Sequence, residues 1–335
     1  MKESVASIFG LGSYLPQTVM SNDEWTQYVD TSDEWITART GIKNRRIAAA
    51  EESTADMAVA AAKAALDDAA IGAEAIDEII VASDTPEVFL PDTACFVQHR
   101  LGAREIPSYD LGSSGCAGFL LALDVARSRV HSGARVHSGA QKILVIGVEL
   151  LTRLMSWQDR ETCVLFGDGA AAAVVGRGAG IAEIVAAVAG TDGSQSNILT
   201  LEVGGTRQPF TANAAQSGLH KHVVMNGREI FKAAVRRMSE ASCEVLAKAN
   251  LTMNDVSLVI PHQANLRIIE AVAKRLEVPM EKFYVNIQDY GNTGSASVGL
   301  ALWEARKKGK VKRGDLVLLT AFGAGFHWAA VLLQF

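Results

Sequence analysis

The feature that most constrains this chain is an internal repeat. Hydrophobic periodicity predicts a helix over 54–70, a strand over 77–83, a helix over 93–101, a strand over 106–111, a glycine loop, a helix over 116–130 and a strand over 142–148. The same order then returns: helix 228–249, strand 255–261, helix 265–276, strand 283–288, a glycine loop, helix 295–307 and strand 315–321. Residues support the pattern in constant register. Gly112-Ser-Ser-Gly115-Cys116-Ala117 lies over Gly291-Asn-Thr-Gly294-Ser295-Ala296, and Leu121-Ala-Leu123 over Leu300-Ala-Leu302. Asp77 falls on Asp255, which sets Asp84 opposite His262 at the ends of equivalent strands. Each copy is too long for a solenoid unit. The expectation is therefore an α/β protein of two related halves, 1–176 and 177–335, divided near Arg177–Gly180, with ligand sites outside the carboxyl ends of the strands.

Composition narrows the partners. Hydrophobic residues make up 49% and charged residues 21%, enough for large covered sheets and too apolar for long disorder. Lys plus Arg total 32 against 37 Asp plus Glu, a net charge of −5 that argues against nucleic acid. Four separated cysteines with no C-x-x-C pair suggest neither a zinc site nor a disulfide framework, and the N-terminus lacks a secretory pattern, so a reducing cytoplasm is expected. Leu316–Phe335 has no Asp, Glu, Lys or Arg, but Gly323-Ala324-Gly325 divides it into two strand-like halves, so no membrane span is expected. Gly10-Leu-Gly12 reads as a turn because the third glycine of a dinucleotide fingerprint is missing. Phe166-Gly-Asp-Gly169 reads as a hairpin turn. The tandem Arg129–Ala134 and Arg135–Ala140 reads as a solvated loop, with His131 and His137 not holding metal.

Three residues carry candidate chemistry. Cys116 stands where a strand passes through a glycine-serine loop into a helix; a thiol at a helix N-terminus is expected to be drawn toward the thiolate, and the free N–H groups there can hold an oxyanion. His262 ends the strand before Gln263-Ala-Asn265, and Asn292 lies between glycines in the corresponding loop of the second copy. Alone, each reads as readily as a packing or turn residue. The repeat brings strand ends and loops of both halves to one region, where thiol, imidazole and amide suit covalent acyl transfer with stabilisation of an enolate oxygen. Cys95, Cys163 and Cys243 read as inert packing cysteines within regular elements.

Gly-Cys-Ala-Gly-Phe119, Pro-His-Gln-Ala-Asn-Leu-Arg267, Gly-Asn-Thr293, Ala-Phe-Gly-Ala-Gly-Phe326, Thr31-Ser-Asp-Glu-Trp-Ile36 and Arg39-Thr-Gly-Ile42 together resemble β-ketoacyl-acyl carrier protein synthase III, in order over nearly the whole chain. The resemblance implies the thiolase fold, a five-layered α-β-α-β-α sandwich of two pseudo-repeated halves, as a homodimer. It implies Cys116 as nucleophile and His262 with Asn292 as the pair that promotes decarboxylation. The backbone N–H groups of Cys116 and Ala324 would form the oxyanion hole, Ala324 standing where the family usually has Gly. Trp35 and Arg160 match residues that sandwich the adenine of coenzyme A, with Arg39 and Asn265 as further contacts; Lys232, Arg267, Lys274 and Arg275 match a patch that docks acyl carrier protein.

The implied reaction joins a short acyl-CoA primer to malonyl-acyl carrier protein and starts fatty acid synthesis, with coenzyme A thioester as substrate and neither metal nor redox cofactor. Leu90 matches a residue that reaches across the dimer to close the acyl pocket. Acetyl-selective members commonly carry Phe there, so longer or branched primers are expected, and a specialised acyltransferase of secondary metabolism stays open. The alternative of another reaction class is a thioester hydrolase on the same fold.

Overall fold

The computed structural model describes residues 5–132 and 142–335. The first half contributes strands β1 (Ala6–Tyr14), β2 (Glu78–Ser83), β3 (Ser108–Gly112), β4 (Lys142–Leu150) and β5 (Asp168–Arg177). Its helices are α1 (Asp33–Thr40), α2 (Thr54–Asp68), α3 (Thr93–Leu101) and α4 (Gly118–Ser132). The second half contributes β6 (Ala182–Thr191), β7 (Leu258–Pro261), β8 (Leu316–Gly323) and β9 (His327–Gln334), with α5 (Gly227–Lys248), α6 (Leu266–Leu276) and α7 (Ala296–Lys307).

The strand order is β3-β2-β4-β5-β1 in one half and β7-β8-β9-β6 in the other. β2 runs parallel to β4, as β7 does to β8, and the next strand in each half turns antiparallel. The two arrays are one topology used twice, joined at a corner where Ser7 and Ile8 pair with Glu183 and Ala182. The order of elements read from the sequence is thus present in three dimensions. The counterpart of β3 is the exception: the strand expected over 283–288 is a single bridge between Val259 and Phe283, followed by a short helix over Ile287–Tyr290. There the Gln263 amide donates to the carbonyls of Pro261 and Tyr284 and accepts the Asn286 N–H, so one side chain takes the place of a ladder.

Helices α4 and α7 lie between the two arrays, and a common core unites Phe119, Leu123 and Ala126 with Val298, Leu302 and the inner faces of both sheets. Helices with apolar residues on several faces are stable only in such a central layer. α2 and α3 cover the outer face of the first sheet, α5 and α6 that of the second, completing five layers. Gly10 and Gly12 belong to β1 and are not a turn: a Cβ on Gly12 would lie 2.2 Å from the Ala61 carbonyl oxygen, so these glycines let α2 pack against the strand. The uncharged C-terminal stretch forms β8 and β9, an antiparallel pair inside the second sheet. No described helix is long and apolar enough to cross a membrane.

Three local expectations need correction. Phe166–Gly169 is not a hairpin: β5 starts at Asp168, and Gly167 is required because a Cβ there would lie 2.4 Å from the Tyr290 carbonyl oxygen. Of the three packing cysteines only Cys163 is buried, and in a turn; Cys95 and Cys243 are exposed faces of helices. The start of the tandem is not loop either: Arg129–Ser132 form the last turn of α4, where His131 Nδ1 meets the Arg127 carbonyl at 2.8 Å, while His137 and the rest of the tandem beyond Ser132 lie outside the described residues.

Candidate active site

Cys116 occupies a 3₁₀ turn, Gly115–Ala117, that leads from β3 into α4. The turn is reached through two left-handed residues, Ser113 (φ 52°) and Gly115 (φ 61°). Glycine at 115 also admits a second strand end: a Cβ there would lie 2.7 Å from the Ala324 nitrogen, and one on Gly323 would lie 2.3 Å from the Cys116 nitrogen. Two glycines therefore bring the N–H groups of Cys116 and Ala324 side by side. Ala324 itself has no left-handed backbone; that conformation falls on Gly325 (φ 128°), so a Cβ at 324 costs no strain.

His262 follows the last residue of β7 and is buried. Its Nδ1 lies 2.5 Å from the Ser297 hydroxyl oxygen, which also accepts the Gln263 N–H at 3.5 Å. A Ser297 hydroxyl that accepts from Gln263 can donate its proton to Nδ1, a pairing that places the ring proton on Nε2. Burial pulls the His262 pKa down to about 3, so the ring is neutral across the physiological range.

Asn292 is clamped through its backbone, accepting from Gly167 N–H at 3.0 Å and donating to the Leu165 carbonyl at 2.9 Å. Its Oδ1 takes the Gly294 N–H at 2.9 Å, which fixes the amide and turns the NH₂ end toward Cys116, to which it donates. All three candidates line one cavity of about 180 Å³, whose apolar wall includes Phe166, Ile230, Ala234 and Met238.

The electrostatics of Cys116 reverse the sequence expectation. Burial pushes its thiol well above the ordinary range, and the nearby carboxyl groups of Asp84 and Glu149 push it further; its own N–H and the Asn292 amide pull the other way without prevailing. The helix N-terminus is outweighed, and Cys116 rests as a thiol.

Comparison with known proteins now decides the family. Residues 109–193 match the family described as 3-oxoacyl-[acyl-carrier-protein] synthase III, and residues 246–335 match its C-terminal part. A β-ketoacyl-[acyl-carrier-protein] synthase III from Aquifex aeolicus is 49% identical over 328 residues, covering 98% of this chain and 99% of that protein. One from Caldanaerobacter subterraneus is 47% identical over 98% of this chain and 97% of its own length. The chain belongs to the β-ketoacyl-acyl carrier protein synthase III family. As a synthase III it is an acyltransferase with a thiolase fold. The crystal structure of the Aquifex aeolicus 3-oxoacyl-[acyl-carrier-protein] synthase III superposes with a TM-score of 0.88 at 48% identity, over 98% of this chain and all of that one. A priming β-ketosynthase from the R1128 polyketide biosynthetic pathway also superposes at 0.88, with 35% identity over 99% of this chain and 97% of that one.

The remaining residues of the synthase III pattern lie in three places. Asn265 lines the cavity, caps α6 by accepting the Arg267 N–H at 2.9 Å, and donates to the Arg39 carbonyl at 3.1 Å. Arg39 stacks on Trp35 with its guanidinium carbon 4.5 Å from the ring centroid, and that of Arg160 lies 4.8 Å from the same ring. The four residues thus form a chain leading out from the cavity, but Arg160 stands too close to Trp35 to admit a base between them as the side chains lie. Lys232 follows the cavity-lining Phe231 and pairs with Glu229; Arg267 holds the Ala38 carbonyl at 2.8 Å; Lys274 and Arg275 are exposed on the last turn of α6. Leu90 is not in the cavity of its own chain: it is 84% exposed, beside Phe89 at 87%.

Sequence reading missed Ser297, the partner of His262, and Glu149, the carboxyl that influences Cys116. Ser297 had a signal: it stands three residues past Gly294, where the first half has Gly118 three past Gly115. Glu149, near the end of a buried strand, had none.

Proposed function

We propose that this synthase III condenses a short acyl-CoA primer with malonyl-acyl carrier protein, releasing carbon dioxide and giving the β-ketoacyl-acyl carrier protein that begins fatty acid synthesis. The observation that carries the reading is the convergence of Cys116, His262 and Asn292 on one apolar cavity. The Cys116 sulfur attacks the primer thioester, whose oxyanion meets the N–H groups of Cys116 and Ala324. Coenzyme A departs with the proton that Cys116 gives up, leaving the acyl group as a thioester on the enzyme.

The malonyl thioester oxygen then receives hydrogen bonds from His262 Nε2–H and the Asn292 amide. Both are neutral donors held by other partners, Ser297 on one and Gly294 on the other, so they stabilise the developing enolate without a proton being lost or gained by the ring. Loss of carbon dioxide leaves a carbanion that attacks the acyl-Cys116 carbonyl; the carbon–sulfur bond breaks, and the departing Cys116 thiolate takes a proton from solvent to regenerate the thiol. The coenzyme A path runs over Asn265 and Arg39 to Trp35, with Arg160 swinging aside to close on the adenine. Lys232, Arg267, Lys274 and Arg275 offer positive charge to an acidic carrier near the mouth.

The exposed apolar run Val88-Phe89-Leu90 suits burial against a second copy, where Leu90 would close the partner subunit's acyl pocket. Leucine there leaves room for primers beyond acetyl.

Intact mass after mixing with acetyl-, isobutyryl- or octanoyl-coenzyme A, with and without malonyl-acyl carrier protein, tests the reading. One acyl adduct is expected, absent in Cys116→Ala and discharged as ketoacyl product forms. An adduct released equally well by buffer alone would favour the hydrolase instead.

A further inference from the structure

Beneath the nucleophile lie two carboxyl groups that the acyl-transfer steps do not use. Asp84 stands one residue beyond β2, and Glu149 is the penultimate residue of β4. Among the described residues neither makes an ion pair with a lysine, arginine or histidine. Their partners are neutral donors instead. Asp84 Oδ1 accepts the Gly115 N–H at 3.0 Å, one residue before the nucleophile. Glu149 accepts the Asp84 N–H at 3.1 and 3.2 Å, the Thr85 hydroxyl at 2.8 Å and the Ser295 N–H at 3.4 Å. Ser295 in turn donates to the Ala82 carbonyl at 3.0 Å, at the end of β2. The loop that carries Cys116 is therefore tied to Asp84, the loop that carries Asn292 to Glu149, and the two acids to each other through the Asp84 N–H.

We propose that Asp84 and Glu149 form one positioning unit, an acid pair with Glu149 buried and Asp84 half-buried, that holds a single negative charge and locks the Cys116 loop to the Asn292 loop. Two carboxylates this close without a cation would face mutual repulsion and the cost of desolvating Glu149 fully and Asp84 in part, whereas protonating one of them removes most of that cost and keeps an acceptor for each N–H. Burial pushes both acids up, as does Asp84 acting on Glu149, in agreement with one of them being protonated at neutral pH. The groups that face the pair are each other and the Cys116 thiol, and His262 shares the cavity with that thiol. The remaining charge lies close enough to oppose ionisation of Cys116.

Removing one acid leaves the other free to ionise, so a single substitution conserves the charge while the double substitution abolishes it. The experiment follows alkylation of Cys116 by iodoacetamide against pH, read on the Cys116 peptide by mass spectrometry, in wild type, Asp84→Asn, Glu149→Gln and the double variant. The midpoint is expected to stay within about 0.3 unit in either single variant and to fall by about one unit or more in the double. The infrared band of a protonated carboxyl group at neutral pH, present in wild type and lost in each single variant, provides a second measurement should the double variant fail to fold. A full downward shift in either single variant, no shift in a folded double variant, or no protonated-carboxyl band in wild type would overturn the proposal. The proposal rests on Cys116 as the reacting thiol, but this readout titrates that thiol directly, so failure of acyl transfer and failure of the acid pair are told apart.

Discussion

The two halves place different chemistry on one backbone. Gly115 and Gly294 occupy equivalent positions and both are left-handed, with φ of 61° and 54°. In the first half the N–H of that glycine is taken by Asp84 from the neighbouring strand end; in the second it is taken by Asn292 from within the loop, at 2.9 Å. Asp84 and His262 each follow the last residue of equivalent strands, and Cys116 corresponds to Ser295. In the proposed reaction the first half supplies the nucleophile, beside Asp84 and Glu149, and the second two neutral donors with no charge of their own. On that proposal, a duplicated scaffold with divergent strand ends gives one cavity two roles, attack from one side and enolate stabilisation from the other.

The sharpest way to break this division is to remove the donors of the second half. His262→Ala or Asn292→Ala is expected to lower condensation by about 10²- to 10³-fold, the usual loss for one oxyanion-type donor. Acyl-Cys116 formation, followed by intact mass, should be nearly preserved. Equal loss of both steps would place these residues in the first half's chemistry instead.

Next in size is the paired substitution of the two glycines. A Cβ on Gly115 meets the Ala324 nitrogen at 2.7 Å, which is backbone, and one on Gly294 meets the Glu149 Cγ at 2.7 Å, which belongs to a side chain away from the Cys116 and Ala324 N–H groups. Both alanine variants should lose roughly 1–3 kcal/mol of stability from the left-handed backbone, measured by urea unfolding. Gly115→Ala should in addition slow acylation, because it parts the N–H groups of Cys116 and Ala324. If Gly294→Ala impaired acylation as severely, the two loops would not differ in role.

The buried neutral imidazole makes a pH-dependent difference that is absent at neutral pH. Unfolded His262 binds a proton below its ordinary pKa near 6.5, whereas the folded ring resists until about 3. Between those values unfolding takes up a proton, so stability falls as pH falls, by at most about 1.4 kcal/mol per unit. Asp84 and Glu149, raised in the folded state, contribute with the opposite sign, so wild type must be compared with His262→Gln. The variant should show the shallower acid loss of thermal stability below pH 6.5.

Much of this was legible in the sequence because periodicity and glycine spacing report backbone geometry, and the repeat reports which strand ends meet. The meeting of Cys116, His262 and Asn292 at one cavity was legible that way, and the five-layered fold followed from the family motifs. What escaped was interaction through space. The strand expected over 283–288 gave way to Gln263 because a side chain can replace a ladder, and nothing local to Phe283–Gln288 announces it. The thiolate expected at Cys116 gave way to a thiol because Asp84 and Glu149 lie distant in sequence and their burial cannot be read from periodicity. Gly10 and Gly12, read as a turn, serve a helix that packs on them from beyond residue 54.

The smallest expected effect concerns Ala324, where the chain departs from the glycine usual in the family. An oxyanion donor needs only its N–H in place, and Ala324 holds that position without a left-handed backbone. The adjacent Gly325, at φ 128°, absorbs the unusual geometry, and its Cβ would lie 2.4 Å from the His327 ring. Ala324→Gly should therefore leave the acylation rate within about twofold and reduce stability by about 0.4–1 kcal/mol, because glycine adds freedom to the unfolded chain at a site that needs none. Gly325→Ala should do far more damage to both. A large gain in acylation on Ala324→Gly would mean that the methyl group holds the N–H away from the substrate oxygen, and that this half of the oxyanion hole is assembled less well than its partner at Cys116.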